Sequence, residues 1–236
     1  MQKFGKLIAL VGAAALLVVA TVFGTMAYLQ DTDTNTNTFT IGKVGISMTE
    51  TNVDGKDASG NDNSSEARDV ANEYHVVPGE TYTKDPTIVV DANSEEAYVY
   101  MTIDLNGYDN LVDKLPIGNF ATFYKDGKFD LNTFCNIDTT DWIDCGTVYD
   151  MVNGTMQYRF RYATTVDTST TDETLTPLFT EFTIPDNGVT NENIDAFSGL
   201  ELVAKAYAIQ SSGFNDYDQA WRNGFGNGVD NFNKNK

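Results

Sequence analysis

The sequence predicts an all-β protein: an antiparallel β-sandwich with a few short helices behind a hydrophobic leader. Three observations carry this. Ala97 to Leu105 and Met156 to Tyr162 alternate apolar and polar residues with the period of two that a half-buried strand requires. Pro-Gly, Asp-Pro and Asn-Gly pairs punctuate the chain between about eight such segments. There is no strand–helix–strand alternation of the kind that builds parallel sheets, and no repeat of fixed period.

The N-terminus is basic at Lys3 and Lys6, apolar from Leu7 to Phe23, and then offers Thr25-Met26-Ala27, with small residues at the −3 and −1 positions. That order is a secretory signal peptide, with Ala27–Tyr28 as the expected cleaved bond. An uncleaved N-terminal anchor is the alternative, because the apolar run is nearly long enough to span a bilayer. The expected organisation is a signal peptide over 1–27, an extended arm over 28–38, a β-sandwich over 39–225 and a polar, flexible tail over 226–236.

Within the body, Phe39 to Met48 reads as a strand whose apolar phase switches at Gly42, a place for a β-bulge. Glu50 to Asn72 is a long polar excursion and reads as a mobile loop. Pro78-Gly79 signals a type II turn, and Pro86 stands at the start of a short strand over Ile88 to Val90. In Ala97 to Leu105, Val99, Met101 and Ile103 face a core and Tyr98 and Tyr100 face outward, as cross-strand packing or as an assembly surface. A helical turn is expected from Tyr108 to Lys114, and two or three short strands between Thr122 and Tyr149. Tyr158 and Phe160 belong to the core face of the next strand. Thr164 to Thr176 reads as a loop, Leu178 to Ile184 as a strand, and Asn191 to Phe197 as a short helix capped by Asn191. Leu200 to Ile209 alternates again, with Leu200 and Leu202 in the expected core. Asn215 to Asn223 reads as a helix capped at Asn215, docked by Tyr217 and Trp221 four residues apart.

The formal charge of the full chain is −19; losing Lys3 and Lys6 with a leader leaves about −21. Such a surface repels nucleic acid and anionic lipid, so neither is an expected partner, and the membrane is met only through the leader. No catalytic motif is present. His75 is the single histidine, which excludes an HExxH site or any cluster of histidines and reads as a strand-surface residue. GxSxG, P-loop and GxGxxG patterns are missing. The run DTDTNTNT lacks the glycine and terminal glutamate of an EF-hand, since its sixth position is Thr36 and its twelfth is Gly42. No cofactor or metal is expected. Cys135 and Cys145 form an even pair in a secreted chain; a disulfide between them is one reading and two unpaired thiols the other.

Four stretches resemble the TasA/camelysin family: GTMAYLQD at Gly24 to Asp31, NTFTIGKV at Asn37 to Val44, VPGETYTKDP at Val77 to Pro86, and AYAIQSSGF at Ala206 to Phe214 ahead of Ala220-Trp221. Residues 106–195 carry no motif of that family. The resemblance implies a jelly-roll sandwich, exported from a Gram-positive bacterium after processing by the dedicated signal peptidase SipW. For the TasA branch it implies fibres of the extracellular biofilm matrix, in which the N-terminal segment of one subunit completes a sheet of its neighbour. The camelysin branch is labelled a metallopeptidase, and the ligands for that activity are missing here.

Three functions follow as expectations: a secreted, self-associating structural protein of the cell surface or matrix; a secreted camelysin-like metallopeptidase; or a monomeric adhesin using the tyrosine face. For the first, the partners are further copies of the chain, the signal peptidase during export and other matrix proteins. The assembly residues are those of the arm: Tyr28, Leu29, Asp31, Asp33, Asn35, Asn37 and Thr38. The arm's Asp and Asn residues disfavour strand while Thr favours it, so it has little reason to pack on its own domain. It is either a donor strand for a neighbouring sheet edge or a spacer.

Overall fold

The structure is a computed structural model that describes residues 30–33, 44–168, 170–186, 188–190 and 192–225, with side chains described from residue 44 onward. The expected cleavage bond Ala27–Tyr28, arm residues Leu29, Asn35, Asn37 and Thr38, the bulge at Gly42, the cap at Asn191 and the tail over 226–236 lie outside the described residues.

The described chain is all-β, in antiparallel pairs, with two short α-helices. Its strands are β1 (Gln30–Asp33), β2 (Ile46–Thr51), β3 (Arg68–Asp69), β4 (Thr81–Thr83), β5 (Thr87–Val90) and β6 (Ser94–Asn106), followed by α1 (Tyr108–Lys114). Then come β7 (Tyr124–Lys125), β8 (Lys128–Phe129), β9 (Trp142–Asp150), β10 (Thr155–Tyr162), β11 (Val166–Thr168), β12 (Glu173–Thr174), β13 (Glu181–Thr183) and β14 (Glu201–Gln210), and finally α2 (Tyr217–Gly224). The larger sheet runs β1-β14-β6-β10-β9, with β11 also on β6; the second runs β12-β5-β2-β3; β4–β13 and β7–β8 are separate pairs.

One core joins the two sheets. From β6 it takes Ala97, Val99, Met101, Ile103 and Leu105, all fully buried, and from the second sheet Ile46, Met48, Ile88 and Val90. The register explains the fit: Ile103 lies opposite Tyr158 on one side and Ala204 on the other, and Met101 lies between Phe160 and Ala206. Large residues on β10 and small ones on β14 fill the layer without overpacking. Leu200 and Leu202, expected in the core, are only partly buried at its edge.

Pro78-Gly79 makes the expected turn. Gly79 has φ +83° and the Glu80 amide donates to the Val77 carbonyl at 3.2 Å, so a side chain at Gly79 would be strained. The polar excursion after β2 is pinned rather than free. Arg68 donates to Asp85 at 2.9 Å and to the Thr49 carbonyl at 2.9 Å, and Asp85 accepts the Thr51 amide at 2.6 Å. The Thr164 to Thr176 loop also contributes two strands, β11 on β6 and β12 on β5. The helix expected to be capped by Asn215 is capped one residue later: Asp216 accepts the Gln219 amide at 2.7 Å, and Gln219 reaches back to the Asn215 amide at 2.6 Å.

The outward tyrosine face is largely covered. α2 lies across it, and Tyr100, Ile209, Ala220 and Trp221 form a second buried cluster on this side of the sheet. Tyr100 is fully buried and donates its hydroxyl to the Tyr217 carbonyl at 2.7 Å.

Candidate functional site

Strand β14 lies between β6 and β1, and among the described residues its two sides are covered to different lengths. On one side it pairs with β6 along its whole length, Glu201 to Gln210. On the other it pairs with β1 only from Ala206 to Ile209, with Gln30 opposite Ile209 and Asp33 opposite Ala206. Among the described residues, Glu201 to Lys205 has no strand on that side. An edge of this kind leaves main-chain N–H and C=O groups ready to template another strand.

The arm expectation needs correction here. Residues 30–33 carry no apolar side chain, yet the segment, which includes Asp31 and Asp33, pairs with its own domain. Main-chain groups make this possible whatever the side chains, because an edge strand supplies a full set of partners.

A groove of about 820 Å³ runs beside the open stretch. Leu200, Leu202 and Ala204 line it together with Met48, Tyr74, Phe182, Ile184 and Phe197. The partial burial of Leu200, Leu202 and Ala204 follows from this opening. The groove sets apolar side chains from alternate β14 positions beside a main chain that has no strand partner among the described residues, the two features a strand-shaped ligand needs.

A charged pair sits in the groove's wall. Lys84 Nζ lies 2.5 Å from Glu50 Oε2, and both residues are more than nine-tenths buried. Asn72 Nδ2 donates to the other Glu50 oxygen at 3.0 Å and to the Thr51 carbonyl at 3.0 Å, while Asn72 Oδ1 accepts the Val53 amide at 2.7 Å. The ring of Tyr74 is 5.9 Å from Lys84 Nζ. Burial, helped by the Glu50, Asp85 and Asp54 carboxylates, pushes the Tyr74 phenol well above its usual range.

On the outer face of the larger sheet, Asp104 accepts from Lys205 Nζ at 2.7 Å and from Gln157 Nε2 at 2.8 Å, and Gln157 in turn accepts from Arg159 Nε at 2.9 Å. Burial opposes the charge on Lys205, but the hydrogen bond and charge of Asp104 outweigh it and raise its pKa. These groups thus satisfy one another in a short polar network across three neighbouring strands.

Other residues singled out in the sequence fall apart spatially. His75 is exposed, and its carbonyl accepts the Tyr82 hydroxyl at 2.9 Å. Among the described residues no three His, Cys, Asp or Glu side chains gather as a metal site would. The Cys135–Cys145 disulfide is not formed; both are free, buried thiols. Cys135 packs in the core between the sheets, whereas Cys145 packs with Tyr100 and Trp221 in the cluster under α2. The two sulfurs thus belong to different buried clusters. The Glu50–Lys84–Asn72 cluster was not singled out from sequence, because its members are far apart in the chain and form no short motif.

Compared with known family models, curated proteins and solved structures, the chain matches none.

Proposed function

We propose that this is a secreted structural protein of the cell surface or biofilm matrix that assembles into fibres, the arm of one subunit completing the β14 edge of the next. The body would be a jelly-roll sandwich, the leader a signal helix removed between Ala27 and Tyr28 by a dedicated signal peptidase, and the arm Tyr28 to Thr38 the donor. The observation that supports this reading is the pairing of β1 with β14: among the described residues it covers Ala206 to Ile209 and stops short of Glu201 to Lys205, beside which the groove runs.

A strand that binds its own domain through main-chain bonds can bind the same edge of another copy through the same bonds. Exchange then costs little enthalpy, and a head-to-tail exchange does not close on itself, so it yields filaments. Cleavage of the leader would release the arm for this exchange. Other matrix proteins could meet the same edge. Electron microscopy of the mature chain, with and without residues 28–38, tests the reading: filaments only from the complete arm support it, and equal filaments from both refute it.

A further inference from the structure

The groove wall carries a second feature, independent of assembly. We propose that Lys84 and Asn72 are the two partners of an intramolecular isopeptide bond, with Glu50 as the acid–base group that makes it.

The arrangement is more specific than an ion pair. A buried carboxylate that served only to neutralise Lys84 would have its second oxygen on another donor of any kind. Here that oxygen holds a carboxamide, so an amine and an amide sit on the two oxygens of one Glu50 carboxylate, at 2.5 and 3.0 Å. The amide's orientation is fixed. Its nitrogen faces two acceptors, Glu50 and the Thr51 carbonyl, and its oxygen faces a donor, the Val53 amide at 2.7 Å. That donor stands where negative charge would develop on Oδ1. Tyr74, Phe134, Phe182 and Met48 line the same groove.

The step balances without any co-reactant. Lys84 passes a proton across the short contact to Glu50, which frees the Nζ lone pair. Nζ attacks Asn72 Cγ, a C–N bond forms, and the charge on Oδ1 is held by the Val53 amide. Collapse breaks the Cγ–Nδ2 bond, and Glu50 delivers a proton to the departing nitrogen. Nζ gives up two protons in all; they leave with ammonia as ammonium, and Glu50 ends as a carboxylate. Asn72 and Lys84 both line the groove, so ammonium has a way out. The product ties the segment after β3 to the residue after β4, in the wall of the groove.

The test is peptide mapping of the full secreted chain, denatured and digested on the carboxyl side of glutamates. Asn72 then lies in a peptide ending at Glu73, and Lys84 in a peptide starting at Thr81. The proposal expects these two peptides joined through Lys84 and Asn72, lighter by one ammonia than their sum. The Glu50→Gln and Asn72→Ala variants should yield them separate at full mass. Separate peptides from the natural chain overturn the proposal outright, and that measurement needs no variant to fold. Joined peptides that persist in Glu50→Gln would overturn the role given to Glu50.

Discussion

Tyr100 and Trp221 meet with ring centroids 5.1 Å apart, one on the sheet and the other on the helix that closes over it. Trp221 also contacts Tyr207 at 5.1 Å and Phe225 at 4.8 Å, so it is the peg that holds α2 down. Trp221→Ala should cost about 3–5 kcal/mol, as for other large aromatic truncations in a core. Denaturant unfolding measures it; a loss under about 1 kcal/mol would mean that the helix does not dock as described.

Ile103 is fully buried between Tyr158 and Ala204, whereas Leu202 stands at the groove. Ile103→Ala should therefore cost about 2–5 kcal/mol and Leu202→Ala clearly less, since a half-open site loses little burial and leaves no closed cavity. Equal costs in denaturant unfolding would contradict the groove.

This contrast also marks how far the sequence could be read. The alternation of Ala97 to Leu105 locates the core face of β6 correctly, and the Tyr217/Trp221 spacing announces a docking helix. The sequence cannot say where that helix lands, so Tyr100 reads as an outward residue although α2 buries it completely. Strands of two or three residues, such as β3, β11 and β12, have no period to detect and are fixed by their partners. The pairing of β1 with β14 escapes for a related reason: its Gln, Asp and Thr residues carry no apolar signal, while its main chain is what binds. Glu50, Asn72 and Lys84 converge only through tertiary structure.

Burial pushes both thiols up from an ordinary value of 9.0, Cys145 to about 12. Thiolate is the reactive form, so neither cysteine should react quickly with a thiol reagent at pH 8 in the native protein, and both should react in denaturant. The raised values also set a sign. The stability they contribute is fully present below about pH 9 and is lost as pH climbs toward the folded values. Fewer than two reactive thiols in denaturant would restore the disulfide.

A charge placed in the groove should block assembly while sparing the fold. Leu202→Asp is expected to give a monomer that unfolds cooperatively and forms no filaments, because Leu202 lines the groove and is only partly buried there, so a charge costs little until a strand docks over it. Light scattering of the concentrated protein reads this directly. Filaments at the natural rate would place the contact elsewhere.

The most direct measurement removes the arm. Residues 28–38 are deleted from the mature chain, and the melting temperature and electron micrographs of the two proteins are compared. The melting temperature should stay nearly unchanged, since the deletion removes one short edge strand, while filaments should be lost completely. A truncated chain that polymerises as well as the full mature chain would show that the arm is only a spacer and would contradict the account.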